Sequence, residues 1–174
     1  IIGIDSMIGG KLFSDLKTKN IDCFGTSRKS INGSLFLDLN EKPSQWPSLP
    51  ELKTLVICAS FNNIDECQKK EEISYKINVK AAESLAKKYC SKETQLIFFS
   101  SSHVFDGSKG FYTESDTTSP TNVYGQHKVL TEKMIFDLNG LVIRLTKVID
   151  DSSPRFKDWA KKLRTGSTIY CRDD

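Results

Sequence analysis

Short apolar segments alternate with amphipathic stretches along most of the chain, and this alternation constrains the fold more than any other feature. The run from Thr54 to Ala59 is apolar apart from its first residue, as in a parallel strand that is covered on both faces. Stretches with apolar residues at helical spacing separate such runs. The repeated order of strand, helix and strand predicts an α/β fold with a doubly wound parallel sheet.

The same patterns predict the individual elements. An apolar stripe at every fourth residue from Ile73 to Leu85 indicates a helix that faces the sheet. A last helix is predicted to begin at Pro154, with Ser153 as its N-cap. Three prolines between residues 39 and 54 predict a loop with one turn, and residues 100–122 predict a long functional loop. Strands are predicted at 1–4, 21–27, 35–39, 54–59, 95–99, 141–145 and 168–171, and the other helices at 7–17, within 65–90 and at 123–138.

The composition is that of an ordinary globular protein and argues against several classes of function. A net charge of +3 is too small to indicate nucleic acid or an anionic membrane as a partner. No apolar run approaches the roughly 20 residues that a membrane span requires. The five cysteines form no CxxC pair, so we predict neither a metal site nor a disulfide framework, and a reducing, cytoplasmic location. The two histidines, His103 and His127, are predicted to have surface or loop roles, and the alternative for His103 is a place in the lining of an active site.

A glycine-bearing turn joins the first predicted strand to the first predicted helix. Its spacing is that of GxxGxxG, with Ser6 in the middle position between Gly3 and Gly9. Glycines in such a turn let the backbone approach a pyrophosphate, which then lies at the helix N-terminus, here formed by Met7 and Ile8. The alternative is a turn whose glycines serve packing alone. Because the turn follows the first strand of a βαβ pattern, we favour a dinucleotide site.

Basic residues at the end of the second strand indicate which dinucleotide is preferred. An acidic residue there would bind the ribose 2′-hydroxyl of NAD, but this chain has Ser27, Arg28 and Lys29. A hydroxyl, a guanidinium and an ammonium suit a 2′-phosphate, which would repel a carboxylate. The alternative is a solvated basic loop. We therefore predict NADP(H) as the cofactor, with NAD(H) as the second choice.

A tyrosine and a lysine four residues apart begin the helix after the long loop. Tyr124 and Lys128 project from one helical face, and a nearby ammonium is expected to lower the pKa of the phenol. The preceding strand ends in serines, among them Ser101. Ligands gather at the carboxyl ends of strands in a doubly wound sheet, so a serine there could hydrogen-bond a reacting carbonyl oxygen.

Further stretches carry the pattern of a known family. Residues 100–107 read SSSHVFDG, residues 63–67 read NIDEC, Asn78-Val79 lies in a predicted helix, and residues 112–128 contain Tyr112, Glu114, Asp116 and the run from Pro120 to Lys128. With the glycine turn, these stretches resemble motifs of the extended short-chain dehydrogenase/reductases, and in particular of the dTDP-4-dehydrorhamnose reductases. The resemblance extends from Gly3 to about Val148 and implies an NAD(P)-binding Rossmann fold.

The resemblance also implies roles for matched residues. Tyr124 would protonate the sugar oxygen, and Lys128 would hold the nicotinamide ribose and tune the tyrosine. Ser101 stands where the family has a threonine and keeps a hydroxyl. Asp38 and Leu39 match a pair near the adenine, and Ala59 and Ser60 match a strand end that lines the cofactor.

The leading hypothesis is an NADP(H)-dependent reductase of a nucleotide-linked 4-keto-6-deoxy sugar. The alternatives are an epimerase or dehydratase of the same superfamily, or a non-catalytic NADP-binding regulatory subunit such as that of methionine adenosyltransferase. Two stretches depart from the family pattern: Ser6 replaces a glycine, and Ser102 and His103 replace an Asp-Tyr pair. These differences leave the identity of the sugar substrate undetermined. We predict a Rossmann domain over residues 1–150 and the start of a substrate-binding region over 151–174, most of which is expected to be truncated. A homodimer is compatible with the resemblance.

Overall fold

The computed structural model describes residues 1–29, 31–149 and 154–169, and within them the chain alternates between strands and helices. Short 3₁₀ turns cover Pro43–Gln45 and Ser102–Val104, and a π-helical turn covers Lys76–Lys80. The strands are Gly25–Ser27 (β1), Ser34–Phe36 (β2), Thr54–Ile57 (β3), Gln95–Ser101 (β4) and Leu141–Leu145 (β5). The α-helices are Met7–Thr18 (α1), Ile64–Lys69 (α2), Glu71–Tyr75 (α3), Ala81–Tyr89 (α4), Val123–Asp137 (α5) and Pro154–Arg164 (α6).

The first residues of the chain lie at the centre of a parallel sheet. Strands β1 and β2 pair with each other, and β3, β4 and β5 form a second parallel group. Ile2 bridges Thr26 on one side and Ile57 on the other, both in parallel, and so joins the two groups. The ligand crevice of a doubly wound sheet lies where the strand order reverses, which here is beside residues 1–4. The predicted doubly wound parallel sheet is confirmed.

A hydrophobic core fills the space between this sheet and helices α4 and α5. Ile2, Leu55 and Phe98 contribute from the strands, and Leu85 and Ile135 from the helices, each at most 2% exposed. Trp46 covers the same core and donates from its indole Nε1 to the Asp38 carbonyl at 2.8 Å. Burial of these side chains fixes the sheet, and with it the positions of the strand ends.

The helix predicted within residues 65–90 is divided, and its predicted apolar stripe is only partly correct. Lys70, with φ −127° and ψ 53°, separates α2 from α3, and the π-helical turn then separates α3 from α4. A π turn holds one residue more than a regular turn. The buried stripe therefore passes through Ser74 and Asn78, while Ile73 is 45% exposed.

Other strand boundaries differ from the predictions because strands end where their partners end. The predicted strand 21–27 is shortened to β1, because pairing with β2 begins at Gly25. Strand β4 runs two residues further than predicted, because its pairing with β5 continues to Ser101. The single turn predicted among the prolines is present at Pro43–Gln45. Ser153 and the residues 170 and 171 of the last predicted strand lie outside the described residues.

Residues 105–116 form a loop that its own side chains hold together, and we call it the stapled loop. Asp106 accepts hydrogen bonds from the Tyr112 hydroxyl at 2.6 Å and from the Ser108 amide at 2.8 Å. Lys109 forms an ion pair with Asp116 at 2.6 Å. The ring of Phe105 stacks on that of Tyr112 at a centroid distance of 4.2 Å. These contacts stabilise the loop beside the carboxyl end of β4.

Within the described part of the chain, no helix is long and apolar enough to cross a membrane. Across the same residues, histidines, cysteines and carboxylates form no group of three that could hold a metal ion. The cysteines that the structure describes, Cys23, Cys58, Cys67 and Cys90, are free thiols.

Candidate active site

Two glycines, Gly3 and Gly9, let the turn that leads into α1 pack closely against its surroundings. Gly3 has φ +90°, and a Cβ there would lie 2.7 Å from the Cβ of Ala59. A Cβ on Gly9 would collide with the carbonyl oxygen of Gly3. Packing therefore requires both glycines, whatever else the turn binds. The close approach also sets the N-terminus of α1 beside the end of β3.

Ser6 caps helix α1 from within this turn. Its hydroxyl donates to the Gly3 carbonyl at 2.7 Å and accepts from the Gly9 amide at 3.0 Å. The serine that replaces a glycine in the motif therefore stabilises the turn itself. The first amides of a helix have no carbonyl partner inside it, and here they belong to Met7 and Ile8. These amides and the helix dipole form a place for an anion.

A cavity of about 260 Å³ joins this turn to the predicted catalytic residues. It opens at the carboxyl ends of β3, β4 and β5, where a doubly wound sheet places its ligands. Its wall is formed by Ser6, Met7, Ile8, Cys58, Ser60, Asn62, Phe99, Ser100, Ser101, Tyr124, Lys128, Leu145, Thr146 and Val148. The helix N-terminus and the serine, tyrosine and lysine side chains thus face one space.

Tyr124 lies in the first turn of α5, which is seated against the 3₁₀ turn after β4. Asn122 caps the helix by accepting from the Gly125 amide at 2.9 Å, and a side chain at Gly125 would collide with the His103 carbonyl. Tyr124 is 8% exposed. The ring of His103 contacts that of Tyr124 edge to face at a centroid distance of 5.9 Å.

The pKa of Tyr124 is raised, which contradicts the expected lowering by Lys128. Burial of the phenol raises this pKa, and the nearby hydroxyls of Ser60 and Ser101 oppose that effect only in part. The ammonium of Lys128 donates to the Phe99 carbonyl at 2.8 Å and lies 5.5 Å from the centre of the Tyr124 ring, so its attraction for a phenolate does not outweigh the effect of burial. Tyr124 therefore keeps its proton at neutral pH.

Lys128 is a buried cation, with only 4% of its surface exposed. Its ammonium lies 4.4 Å above the Phe98 ring, in addition to its bond with the Phe99 carbonyl. Burial lowers the pKa of Lys128 to about 8, and the carboxylate of Glu132 acts in the opposite direction. The lysine is consequently protonated at neutral pH and loses its proton as the pH rises through about 8.

A buried hydrogen-bond network behind the cavity was missed by sequence reasoning, apart from Asn78. Asn78, in the π turn, accepts from the Ser60 hydroxyl at 3.0 Å and from the Phe61 amide at 2.8 Å. Its amide nitrogen donates to Ser74, and the Ser74 hydroxyl lies 2.9 Å from Nδ1 of His127. His127 is only 3% exposed, so the predicted surface or loop role was wrong. Polar residues on a buried helical stripe were the signal that could have revealed the network.

The residues predicted for the 2′-phosphate and the adenine lie outside the cavity, at neighbouring strand ends. Ser27 is buried, and its hydroxyl accepts from the Lys29 amide at 2.8 Å. Arg28 and Lys29 are exposed. Asp38 is half-buried and accepts from the Asn40 amide, whereas Leu39 packs in the hydrophobic core. Ala59 shapes the turn through its contact with Gly3.

Comparisons with known proteins identify the family of the chain and its fold. A family model described as the RmlD substrate binding domain matches residues 1–170. A probable low-salt glycan biosynthesis reductase of Haloferax volcanii is 31% identical over 128 residues, which cover 68% of this chain and 43% of that protein. Methionine adenosyltransferase 2 subunit beta of Rattus norvegicus is 36% identical over 85 residues, which cover 49% of this chain and 25% of that protein.

The fold also matches that of a solved reductase. The structure of dTDP-4-dehydrorhamnose reductase from Bacillus anthracis in complex with NADP aligns with a TM-score of 0.77 at 21% identity, and the match covers 96% of this chain and 59% of that one. The chain thus spans less than two thirds of each of these relatives. At this identity the superposition establishes the fold, and the family model, which matches nearly every residue, establishes the family. The chain belongs to the RmlD substrate binding domain family of the extended short-chain dehydrogenase/reductases.

Proposed function

We propose that this chain forms the cofactor-binding and catalytic part of an NADP(H)-dependent reductase, and that its substrate is a nucleotide-linked 4-keto-6-deoxy sugar. The observation that carries this proposal is the shared cavity, in which the N-terminus of α1 and the side chains of Ser101, Tyr124 and Lys128 meet. An anion site beside a proton donor is what a reductase with a dinucleotide cofactor requires. The sugar itself is inferred from the family.

The residues present fit such a cofactor. The amides of Met7 and Ile8 would hold the pyrophosphate, and the exposed Arg28 and Lys29 would bind the 2′-phosphate. When bound, NADPH supplies a hydride to the carbonyl carbon. Since the pKa of Tyr124 is raised, its phenol is protonated at neutral pH and is suited to give a proton to the carbonyl oxygen.

Ser101 and Lys128 would assist this proton transfer. The Ser101 hydroxyl could hydrogen-bond the carbonyl oxygen as negative charge develops on it. Once Tyr124 has given up its proton, the nearby Lys128 ammonium would stabilise the phenolate that remains. Net reduction needs a proton donor, and the protonated Tyr124 supports this direction.

To test the proposal, the full-length protein is mixed with NADPH and with each member of a panel of nucleotide-linked 4-keto sugars. We expect loss of the reduced-nicotinamide absorbance with one of these sugars, and reduced sugar as the product. Binding of NADPH without its consumption with any sugar of the panel would contradict the proposed reductase activity. An epimerised or dehydrated sugar, formed without net oxidation of NADPH, would identify the related alternatives.

The second candidate function is a non-catalytic, cofactor-binding subunit. The relative that supports it is methionine adenosyltransferase 2 subunit beta, which is 36% identical over 85 residues. Binding of NADPH without turnover, together with retention of a partner enzyme on the immobilised protein, would favour this candidate over the reductase.

The basic residues after β1 give a prediction about cofactor preference. Replacing Arg28 and Lys29 by alanine is expected to weaken NADPH binding by about ten- to a hundredfold, because charge-assisted hydrogen bonds to the 2′-phosphate are lost. The affinity for NADH, which lacks this phosphate, should change little. Titration calorimetry with both cofactors measures the difference.

The matched control for this pair is Lys92→Ala, an exposed lysine just before β4, at the other end of that strand from the site. It removes a positive charge and should leave both affinities as they are. If wild-type protein bound NADH as tightly as NADPH, the predicted role of Arg28 and Lys29 would be wrong.

A further inference from the structure

A partly buried ion pair lies one helical turn from Lys128. Arg144, on β5, donates from Nε to one carboxylate oxygen of Glu132 at 3.0 Å and from Nη2 to the other at 2.8 Å. The side chains are 19% and 3% exposed, respectively. Two parallel hydrogen bonds of this kind fix a carboxylate in both position and orientation.

Glu132 is one helical turn from Lys128, on the same face of α5. Residues four apart on a helix are neighbours, so the Glu132 carboxylate acts on Lys128 from the adjacent helical turn. Both residues as a whole are almost entirely buried, at 2% exposure for Glu132 and 4% for Lys128. Water therefore screens their attraction only weakly.

The charged and titratable groups around Lys128 leave Glu132 as its negative partner. Cys58 follows β3, Cys67 lies on α2, Tyr124 and Glu132 lie on α5, and Arg144 lies on β5. Burial raises the pKa of Cys58 to about 11, and the pKa of Tyr124 is also raised, so both are neutral near pH 7. Among the described residues named here, Glu132 is the one carboxylate.

Arg144 also connects this pair to the stapled loop. Its guanidinium lies 5.1 Å from the centre of the Phe105 ring, and its Nη1 lies 3.5 Å from the Glu114 carbonyl oxygen. In the sheet, Arg144 pairs with Ser100, and the next pair along the strands is Leu145 with Ser101. The guanidinium that holds Glu132 thus also contacts the loop beside the cavity, while the backbone of Arg144 is fixed by its pairing with β4.

We propose that Glu132 is a positioning residue for the reaction: its carboxylate, fixed by Arg144, keeps a larger fraction of the Lys128 ammonium charged in a buried site that opposes this charge. This role rests on the proposed reductase for its purpose, because the charged lysine is what would stabilise the Tyr124 phenolate. The lowered pKa of Lys128, about 8, shows how strongly burial already opposes the charge.

The test is a pH titration of Lys128 by NMR, with ¹³C-labelled lysine and a Lys128→Met variant to assign the signal. The wild-type midpoint is expected near pH 8. In Glu132→Gln it should fall by about one pH unit, because a nearby opposite charge is lost. Asp137→Asn, which removes an exposed carboxylate at the end of the same helix, should keep the wild-type midpoint.

Arg144→Met separates charge from packing. This variant breaks the same ion pair but leaves the Glu132 carboxylate beside Lys128, so the midpoint should not fall. A midpoint that is unchanged in Glu132→Gln, or that falls equally in both variants, would overturn the proposal. If Glu132→Gln does not fold, the double variant Glu132→Gln/Arg144→Met leaves no arginine without its carboxylate partner, and its midpoint should still lie below that of the wild type.

Because this titration needs no substrate, it is independent of the reductase assay. A lowered midpoint in a protein that reduces no sugar would remove the proposed function and leave the role of Glu132 standing. In an active enzyme, Glu132→Gln should shift the high-pH loss of kcat to lower pH by the same amount.

Discussion

Replacing Tyr124 by phenylalanine is expected to lower the rate of NADPH-dependent sugar reduction by about 10²- to 10⁴-fold, the range associated with loss of a positioned proton donor. The ring packs in a cluster with Cys67 and Val123, and phenylalanine keeps those contacts. Binding of NADPH should persist, since the anion site at α1 and the basic residues after β1 are untouched. The loss should therefore appear in kcat.

The measurement compares kcat, KM and NADPH affinity in wild type, Tyr124→Phe and Tyr75→Phe. Tyr75→Phe is the matched control, because it removes one phenol hydroxyl from a partly exposed side chain on α3. We expect this control to retain wild-type kcat. Nearly full activity in Tyr124→Phe would show that another group donates the proton, and the proposed mechanism would then be wrong.

Replacing Gly3 by alanine is expected to lower the free energy of unfolding by about 3 kcal/mol, since a strained backbone and a steric overlap add together. The residue has φ +90°, a backbone conformation that is unfavourable for residues with a side chain. The Cβ of the introduced alanine would lie 2.7 Å from that of Ala59. The overlap involves the backbone of Ala59 as well, so it cannot be relieved by rotating a side chain. Urea unfolding at equilibrium measures the change.

Gly107→Ala is the control for the backbone contribution. Gly107 also has positive φ, at +77°, but no atom lies within 4 Å of its added Cβ. This variant should lose only about 1 kcal/mol, from the left-handed backbone alone. Equal losses in the two variants would contradict the argument that the turn at Gly3 is closely packed against the end of β3.

Much of the fold could be predicted because its determinants are local. Continuous apolar runs indicated strands β3 and β4, and helical spacing indicated α1 and α5 within one or two residues. The extent of each strand was harder to predict, because it depends on a partner elsewhere in the chain. Strand β4 extends to Ser101 because that residue pairs with Leu145 of β5. The π turn was missed because the local pattern is misleading. Ile73 and Ile77 are spaced as they would be in a regular helix.

The candidate site was predictable where a motif carries its chemistry in adjacent residues. The glycine turn, Tyr124 and Lys128 are of this kind, and they line or shape one cavity in the structure. The Glu132–Arg144 pair and the contact of Ser74 with His127 join residues that are remote in sequence, which no spacing reveals. Burial likewise decided the pKa of Tyr124, and it could not be deduced from the neighbouring lysine alone.

The π turn at Lys76–Lys80 has a consequence for insertions and deletions in this chain. A regular helix turns by about 100° per residue, so deleting one residue inside α4 would rotate its remaining side chains away from the sheet. Deleting one residue within the π turn would instead allow α3 and α4 to continue as one regular helix, with Leu85 still in the core. What would be lost is the displaced backbone that brings Asn78 to Ser60 and Phe61. We therefore expect a one-residue deletion in this turn to disturb the cavity wall more than the hydrophobic core.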